Sequence, residues 1–598
     1  RPADFMNLPA PLADPEAAAP PPTLIHQVAT LARHLELRYH GLPQDIEWTF
    51  DGTTLWLLQA RPITTLNPLW TRKIAAEVIP GVIRPLTWSI NRPLTCGVWG
   101  QIFTLVLGDR AQGLDFGETA TLHYSRAYFN ATLLGQIFRR MGLPAESLEF
   151  LTLGAKFSKP PLGSTVQNIP GLLRLLGREW RLRQDFAQDD RLTFAPTLAE
   201  LRQTAPETLA PAALLARIEQ ILQQLETATY YSILAPLSFA LRRSLFQVPE
   251  ATLDPRHQPE VASLQAVQAL AATARQHHPA AVATLVANPQ TAWATLAATP
   301  DGAAILQALD EIVERYGYLS EVGTDIAVPT WREDPQPVRD LFGQLVRNPP
   351  PGAAAIAVPS HPHWRQRQVQ QRLDLKGRVA TVYLTLLAEL RWSLLAAERW
   401  AIAQHLLHQP GDAFFLTWGE LRDCLAGPPP AQSAALMAMV AQRRSQFAQH
   451  QQQPTVPFMV YGNDPPPDPS AIAPPAPPSG ALQGIGASAG IVTGQVKIMH
   501  TLQTGQPLPP QTVLVVPYTD AGWAPLLAQA AGLIAEVGGR LSHGAIVARE
   551  YKIPAVMNVT HATQRFQDGQ WVRLDGRAGT VALVSEAEAE AHGGDDGP

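Results

Sequence analysis

The hydrophobic pattern near the start of the chain predicts one helix and one hairpin. Apolar residues recur every three to four positions over 23–39, and a glycine and a proline follow, so a helix is expected to end there. Two short apolar runs, 46–50 and 55–58, flank Asp51-Gly52, a pair typical of the turn between antiparallel strands. Residues 1–64 therefore predict an α+β fragment that is too small to hold a full core.

Helical periodicity dominates the middle of the chain, and the pattern changes near its end. Apolar residues recur at helical spacing over 172–182, 212–225, 264–276, 303–316, 379–407 and 434–450. After 481 the runs are shorter: they are typical of strands at 491–499, 513–516 and 571–574, and of helices at 525–531 and 543–551. We therefore predict a large, mostly α-helical domain over 65–461 and an α/β domain over 481–585.

Prolines mark the connections between these regions. The 56 prolines cluster at 9–22, 349–351, 428–430 and 465–478, and proline continues neither a helix nor a central strand. The stretch 462–480 is expected to be a semi-rigid linker, so that the domain after it can move as a body. The acidic, glycine-rich segment 586–598 is expected to be a frayed tail.

Length and composition exclude several classes of protein. With 598 residues, about three to five domains are expected. The 46 Lys and Arg are outnumbered by 51 Asp and Glu, so the basic excess of a nucleic-acid-binding protein is missing and no nucleic-acid partner is expected.

The two cysteines and the hydropathy pattern favour a cytoplasmic protein. Two thiols build neither a disulfide framework nor a cysteine zinc site. The sequence has no uninterrupted apolar run of about 18 residues and no export signal, so neither a membrane segment nor secretion is expected.

The sharpest local signal for chemistry is the segment 537–550, VGGRLSHGAIVARE. Gly538 and Gly539 end a strand-like run, and Ser542 can cap a helix that starts near His543. A histidine in that position meets oriented N–H groups and the positive end of the helix dipole, which suits an imidazole that carries a phosphoryl group. On spacing alone, a capping or surface histidine remains the simpler interpretation.

This C-terminal region resembles the swivelling phosphohistidine domain of the phosphoenolpyruvate-utilising enzymes, which include phosphoenolpyruvate synthase, pyruvate phosphate dikinase and rifampicin phosphotransferase. The resemblance is carried, in the family's order, by 484–490 (GIGASAG), 519–525 (TDAGWAP), 538–550, 553–556 (IPAV), Asp568-Gly569 and Asp575-Gly576. It implies that His543 is the phosphoryl carrier. Ser542, Gly538, Gly539 and Arg549 are the candidates for supporting its phosphate.

A second resemblance lies near the start, in 41–48 (GLPQDIEW) and 58–64 (LQARPIT). These segments resemble the last strands of the family's ATP-grasp-like nucleotide-binding domain, which implies that 1–64 is the C-terminal end of such a domain. By the same resemblance Glu47 and Gln59 are ligands of the Mg²⁺ bound to ATP, and Arg61 faces the transferred phosphoryl group. These three residues can form one site only if they lie on the same face of the hairpin. A two-residue Asp51-Gly52 turn puts Glu47 on the opposite face from Gln59 and Arg61. A three-residue loop puts all three on one face. On pattern alone, a solvent-facing hairpin is an equal alternative.

The resemblance also indicates which parts of the family are not found in this sequence. The lysine- and glycine-bearing phosphate-binding segments are absent from residues 1–40, and the sequence begins with Arg rather than Met. A missing upstream segment, or a separate chain that supplies the rest of the nucleotide-binding domain, is therefore expected. Only about fifty residues follow His543, fewer than the roughly 250 of a pyruvate-binding TIM barrel.

The middle domain resembles rifampicin phosphotransferases more loosely, through 81–88, 325–335 and 412–421. A His-Arg-Gly stretch is expected before Asp325 but is not present, and Thr330 stands where Arg is usual, which weakens the case for a rifamycin acceptor. Trp88, Trp331, Trp392 and Trp418 could line a pocket, although helical tryptophans more often belong to a core.

The function expected from this resemblance is a dikinase-type phosphotransferase that moves a phosphoryl group from ATP through His543 to a small-molecule acceptor. One alternative is a phosphoenolpyruvate synthase-like enzyme that acts on pyruvate or phosphoenolpyruvate with its barrel on another chain. The other is a split, non-catalytic subunit that relays phosphoryl groups.

Overall fold

The fold is taken from a computed structural model of the chain. It describes residues 21–38, 44–62, 68–72, 75–79, 81–141, 162–249, 252–287, 292–347, 363–427, 433–453, 456–463, 480–500, 508–519, 523–539, 542–586 and 588. The predicted linker 462–480 and tail 586–598 lie mostly outside these residues.

The N-terminal part contains the predicted helix and hairpin. Its elements are α1 (Pro22–Arg38), β1 (Gln44–Phe50), β2 (Leu55–Pro62), β3 (Leu69–Thr71), α2 (Ala75–Val78), α3 (Pro85–Leu107), β4 (Ala120–His123), β5 (Arg126–Asn130) and α4 (Ala131–Arg140). The antiparallel pair β4–β5 was not predicted, because its nine residues carry no regular alternation that distinguishes them from a helix.

The middle of the chain is helical, as predicted. Its helices are α5 (Leu162–Asp189), α6 (Ala195–Gln203), α7 (Pro211–Phe246), α8 (Pro259–His277), α9 (Pro279–Ala287), α10 (Ala292–Ala297), α11 (Pro300–Tyr316), α12 (Gln336–Arg347), α13 (Trp364–Ala403), α14 (Trp418–Ala426) and α15 (Ser433–Gln452). The helix predicted over 379–407 ends at Ala403, where the chain turns and His405 adopts a positive φ of 57°.

Helix α13 is long and apolar enough to cross a membrane by length and composition alone. However, 67% of its most apolar window is buried inside the fold, as expected for the core helix of a globular domain. It is therefore weak evidence for a membrane segment.

The C-terminal part alternates short strands and helices, as predicted. Its elements are β6 (Met459–Tyr461), β7 (Leu482–Gln483), β8 (Ile485–Ser488), β9 (Ile491–Ile498), β10 (Thr512–Val516), α16 (Ala524–Leu527), β11 (Gly532–Ala535), α17 (His543–Glu550), β12 (Ala555–Met557), α18 (Ala562–Arg565), β13 (Trp571–Asp575) and β14 (Thr580–Leu583). The helix predicted over 525–531 is only the single turn α16.

Eight of these strands form one sheet in the order β7-β14-β13-β9-β10-β11-β12-β8. Strands β9, β10, β11 and β12 run parallel, and the remaining pairs are antiparallel. Every residue of β10 and β11 is buried, because a parallel sheet is covered on both faces. The carboxyl ends of the parallel strands consequently meet at one edge of the sheet.

The two faces of this sheet belong to different hydrophobic cores. On one face Val513 and Val515 pack in a core with residues of β13 and β14. On the other face Leu514 and Val516 belong to a core that continues into α8 and α12 of the helical part. The mixed α+β chain thus has a large helical middle whose core is continuous with the C-terminal sheet.

Contacts divide the chain into two compact units. One comprises Arg1–Trp70, Asn130–Asn168 and Met459–Pro465, and the other comprises Thr71–Phe129, Ile169–Phe458 and Pro466–Pro598. The helical middle and the C-terminal sheet therefore belong to the same unit.

Buried ion pairs tie the long helices of the middle part together. Arg217 of α7 donates to Glu389 of α13 at 2.8 Å and to the hydroxyl of Ser393 at 3.0 Å, and both charged side chains are almost fully buried. Burial raises the pKa of Glu389, while Arg217 opposes that shift.

Replacing Arg217 with Met is expected to destabilise the helical middle by about 3–5 kcal/mol, because the Glu389 carboxylate then stays buried without its partner. The measurement is urea unfolding followed by circular dichroism. Arg399→Met is the control, since Arg399 pairs with Glu207 at an exposed site and is expected to cost at most about 1 kcal/mol. Equal unfolding shifts in both variants would contradict this account of the core.

Candidate functional site

The predicted phosphohistidine segment lies at the carboxyl edge of the parallel strands. Gly538 and Gly539 follow β11, and His543 is the first residue of α17. Ligands of parallel α/β sheets bind at such edges, and the start of a helix there favours negative charge. Residues 540–541 and the side chain of His543 lie outside the described part of the structure.

Gly538 is the residue that the turn after β11 requires. Its φ is +125°, and a Cβ at this position would lie 2.8 Å from the Cε of Met557 and 3.0 Å from the hydroxyl of Ser542. Both the backbone conformation and the packing therefore favour glycine here.

The start of α17 is capped differently from the sequence expectation. Ser542 occupies the N-cap position, but its side chain makes no capping hydrogen bond and instead donates to the carbonyl of Gly539 at 2.7 Å. The hydroxyl of Thr519, in the loop after β10, accepts a hydrogen bond from the N–H of Gly544 at 3.1 Å. Thr519 thus joins the loops that follow two neighbouring strands.

Sequence reasoning did not single out Thr519. It belongs to the segment 519–525 that carries the family resemblance, and that resemblance could have identified it. The next residue, Asp520, lies outside the described residues. The close approach also constrains Gly544, because a Cβ there would come within 2.7 Å of the Cβ of Thr519 and closer still to its hydroxyl.

Arg549 lies farther from His543 than the other predicted residues. It is in the last turn of α17, six residues after His543, which corresponds to about 9 Å along the helix and about 240° around it. The structure therefore offers little support for a role of Arg549 at the phosphate, and that role remains a prediction.

A buried carboxylate lies at the root of the same loop. Glu536 follows β11 and accepts hydrogen bonds from the backbone N–H and the hydroxyl of Thr563, at 2.8 and 2.5 Å. Burial raises the pKa of Glu536, whereas Thr563 and Arg72 oppose the shift. Sequence reasoning did not identify this residue, because a single acidic residue after a strand carries no pattern.

The N-terminal hairpin brings the second predicted set of residues onto one face. Glu47 lies opposite Gln59, and Asp45 lies opposite Arg61. The loop has four residues, 51–54, so simple parity would separate Glu47 from Gln59. A β-bulge between Glu47 and Trp48 shifts the register by one residue and restores the shared face.

Arg61, the basic residue on this face of the hairpin, is paired with Asp45. Arg61 donates from two nitrogens to Asp45 at 2.7 and 2.9 Å. This contact, strengthened by Glu47, raises the pKa of Arg61, although both members of the pair are exposed.

Glu47 and Gln59 are too few ligands to hold Mg²⁺ by themselves, but they fit Mg²⁺ that is also bound to a substrate. No group of three or more His, Cys, Asp or Glu among the described residues could hold a metal ion. The Glu47 carboxylate and the Gln59 amide oxygen are hard ligands, and Mg²⁺ commonly takes one or two protein ligands and completes its shell with phosphates and water. The hairpin therefore suits Mg²⁺ bound to a nucleotide better than a resident metal.

The three segments singled out in the middle domain meet in the structure. The hydroxyl of Thr87 donates to Asp325 at 2.6 Å, Arg84 donates to the carbonyl of Ala327 at 3.2 Å, and the N–H of Trp418 donates to Ser89 at 2.8 Å. These segments therefore hold one another in place within the helical core.

Thr330, where the resemblance predicts Arg, is part of a packed network. Its hydroxyl donates to Glu333 at 2.9 Å and accepts from the indole N–H of Trp392 at 3.2 Å. Arg391 pairs with Glu333 at 2.7 Å, and the guanidinium of Arg332 lies 4.4 Å from the Trp392 ring centroid.

The four candidate tryptophans are mostly packing residues. Trp331 is buried, and Trp418 packs against the main helical core. Trp88 and Trp392 are half-buried.

A polar cleft of about 210 Å³ lies beside α13. It is lined by Asp254, His257, Gln366, Arg367, Gln370, Gln371 and Asp374. The Gln370 amide donates to the Asp254 carbonyl and to the Asp374 carboxylate, both at 2.8 Å. These hydrogen bonds satisfy lining groups within the fold, so the cleft has no evident ligand requirement.

Comparisons with known proteins match three regions of the chain. Residues 508–579 match the mobile domain of phosphoenolpyruvate-utilising enzymes, residues 241–408 match the fourth domain of rifampicin phosphotransferase, and residues 12–78 match the AMP/ATP-binding domain of pyruvate phosphate dikinase. The first of these ranges contains the whole segment from Gly538 to Arg549.

Over most of its length the chain is similar to rifampicin phosphotransferases. It is similar to the rifampicin phosphotransferase of Streptomyces sviceus, with 26% identity over 94% of this chain and 68% of the relative. It is also similar to the prodigiosin synthesizing transferase PigC of Serratia marcescens, with 25% identity over 97% of this chain and 73% of the relative.

Local similarity is higher in the C-terminal domain. The uncharacterized phosphotransferase YvkC of Bacillus subtilis is 43% identical over 104 residues, which are 17% of this chain and 12% of the relative. The match to the dikinase AMP/ATP-binding domain partly supports the expectation for the N-terminal segment.

Replacing Gly544 with Ala is expected to displace Thr519 and to lower the melting temperature, because the added methyl group has no room beside the Thr519 side chain. The measurement is thermal unfolding of the whole chain. Gly97→Ala is the matched control: Gly97 lies in α3 with nothing within 4 Å of an added Cβ, so this change is expected to be neutral or stabilising by up to about 1 kcal/mol. A Gly544→Ala chain that melts like Gly97→Ala would show that the Thr519 contact is unimportant.

Proposed function

We propose that this chain is part of an ATP-dependent phosphotransferase of dikinase type in which His543 carries the phosphoryl group to a small-molecule acceptor. The observation that supports the proposal most strongly is the position of His543, at the first residue of a helix on the carboxyl edge of the parallel strands. The match of residues 508–579 to the mobile domain of phosphoenolpyruvate-utilising enzymes supports the same chemistry.

In the first half-reaction His543 takes the β-phosphoryl group of ATP. AMP leaves, the γ-phosphoryl group passes to water as inorganic phosphate, and the imidazole nitrogen forms the new P–N bond. The start of α17 meets the charge gained by the histidine with oriented N–H groups and the helix dipole. Phosphoryl transfer depends mainly on such positioning and charge stabilisation.

In this proposal the N-terminal hairpin contributes to the nucleotide site. Glu47 and Gln59 would hold the Mg²⁺, which neutralises phosphate charge when it is bound. Arg61 supplies a guanidinium to the transferred phosphoryl group and is positioned by Asp45. The remaining nucleotide-binding residues come from an upstream segment or from a separate chain.

In the second half-reaction the phosphoryl group moves from His543 to an acceptor hydroxyl or enolate. The P–N bond breaks, a P–O bond forms, and the acceptor's proton leaves. The C-terminal domain moves between the two sites on the 462–480 linker, so that each site can exclude water during its own step.

The acceptor is proposed only as a small molecule. Two similar relatives carry different names, one a rifampicin phosphotransferase and the other a prodigiosin synthesizing transferase, so the family alone does not specify the acceptor. Thr330 and the segment before Asp325 lack the basic groups expected for a rifamycin acceptor. The proposal places the enzyme in the cytoplasm, where ATP is abundant.

The test is radiolabelling of the protein completed with its nucleotide-binding segment. Incubation with Mg²⁺ and ATP labelled at the β-phosphate is expected to label the chain, and ATP labelled at the γ-phosphate is expected to leave it unlabelled. His543→Ala is expected to abolish the label, whereas His500→Ala, a change of another histidine in the same domain, is expected to keep it.

Phosphohistidine is also labile to acid and stable to alkali, so the label should be lost on acid treatment. Label that survives in the His543→Ala chain would contradict the carrier assignment. Label from the γ-phosphate instead would favour an ordinary kinase step.

Glu47→Ala and Gln59→Ala are expected to reduce labelling of His543 at least about tenfold at limiting Mg²⁺, because each removes an oxygen ligand. Thr49→Ala is the control, since Thr49 lies on the same hairpin beyond the bulge. Restoration of labelling by excess Mg²⁺ would support a role in metal binding, whereas equal labelling in all three variants would contradict it.

A further inference from the structure

Two helices of the helical middle, α5 and α7, expose rows of large apolar side chains to solvent. The exposed residues are Leu173, Leu176 and Trp180 on α5, and Leu237, Leu241 and Leu245 on α7. Trp180 is 74% exposed and Leu245 is 69% exposed. With about 3.6 residues per turn, each set lies within about 80° of its helix surface. Each helix therefore has one exposed apolar stripe, which is a feature typical of interaction surfaces.

The two stripes lie side by side. The carboxylate of Glu179, in α5, accepts hydrogen bonds from Ser238 at 2.7 Å and from Arg242 at 2.8 Å, both in α7. The helices are therefore in contact at this level. Trp180 directly follows Glu179, and Leu237 and Leu241 directly precede its two partners. The exposed leucines and Trp180 thus form one surface across both helices.

A second exposed tryptophan extends this surface at the end of α7. The rings of Phe246 and Trp364 meet edge to face with their centroids 5.3 Å apart, and Trp364 is 50% exposed. The guanidinium of Arg365 lies 5.6 Å from the centroid of the Trp364 ring. The surface therefore continues from α7 to the start of α13 with an aromatic and a basic side chain.

The exposed charge around the α5 stripe is positive. Residues 170–184 contain four arginines and a single acidic residue: Arg174, Arg178, Arg181, Arg183 and Glu179. The side chain of Glu179 is buried, and Arg242 and Arg372 pair with it at 2.8 and 3.2 Å. All four arginines are exposed, although Arg181 lies 3.6 Å from Asp185. In a chain whose net charge is −5, this surface is locally basic.

The arrangement of these groups fits a lipid surface better than a soluble partner. Measured around α5 from Leu173, Arg181 lies about 80° away in one direction and Arg183 about 80° away in the other. Arginine stems can lie along apolar surface while their guanidinium groups bind phosphates. Leucines and tryptophans flanked by arginines are typical of helices that lie in the interface of an anionic membrane. A nucleic acid would engage the arginines and leave the leucines in water.

We propose that this surface of α5 and α7 binds an anionic membrane peripherally, with its leucines and Trp180 among the headgroups and its arginines on lipid phosphates. The opposite faces of the two helices stay in the fold, where Phe186 and Phe239 are buried, so neither helix crosses the membrane. Hydropathy along the sequence does not reveal the surface, because arginines interrupt its apolar residues. The proposal does not depend on the proposed phosphotransferase function.

The test is co-sedimentation of the whole chain with lipid vesicles, with circular dichroism to verify folding of each variant. Vesicles of phosphatidylcholine with about 30% phosphatidylglycerol are expected to bind the chain at least about tenfold more tightly than pure phosphatidylcholine, and added salt is expected to weaken that binding. Leu241→Glu is expected to reduce binding about tenfold or more, because it places a negative charge in the apolar stripe. Leu583→Glu, which changes an exposed leucine of β14, is the control and is expected to bind like the unchanged chain.

A double variant tests the role of the arginines. Arg178→Gln with Arg183→Gln is expected to weaken binding to the anionic vesicles about tenfold or more, whereas Arg399→Gln with Arg422→Gln removes the same charge at exposed positions elsewhere and is expected to have little effect. Equal binding to both kinds of vesicle, or a folded Leu241→Glu chain that binds like the unchanged chain, would overturn the proposal. A chain that stays in the supernatant with both kinds of vesicle would also overturn it and would favour an acidic protein partner for this surface.

Discussion

Burial of β10 and β11 on both faces is the constraint on which the candidate site depends. These strands have no exposed residue, so the polar residues that follow each strand lie in the loops at the carboxyl edge of the sheet. The loop after β10 supplies Thr519 and the loop after β11 supplies Gly538, and the hydrogen bond from Gly544 to Thr519 joins them. The start of α17 is thereby fixed relative to two strands at once.

The eight-stranded sheet also packs against helices of the helical middle. Alternate residues of β10 enter two cores, one within the C-terminal domain and one shared with α8 and α12. If the C-terminal domain carries a phosphoryl group between two sites, as proposed, it must leave this shared surface and return to it. Apolar burial favours the return.

The sequence predicted those features that depend on local hydrophobic periodicity and on the backbone freedom of glycine. The long helices and the strands β9, β10 and β13 follow from apolar spacing, and Gly538 follows from a turn that needs a positive φ. The cap of α17 could not be predicted from local sequence. Ser542 has the residue type and the position of an N-cap, but the N–H of Gly544 donates instead to Thr519, which only the tertiary fold brings within reach. The sequence left open whether Glu47 and Gln59 share a face, because a shared face required a loop with an odd number of residues. In the structure the shared face arises from a bulge, which local sequence does not specify. Glu536 was missed for the same reason, since its hydrogen bonds come from Thr563, which only the tertiary fold brings beside it.

The central claim is that His543 carries a phosphoryl group, and peptide-resolved mass spectrometry tests it most directly. The chain completed with its nucleotide-binding segment would be incubated with ATP and Mg²⁺ and digested at alkaline pH. The account predicts a gain of about 80 Da, the mass of one phosphoryl group, on the peptide that contains His543. An unmodified His543 peptide, obtained while the completed protein demonstrably binds ATP, would contradict the account.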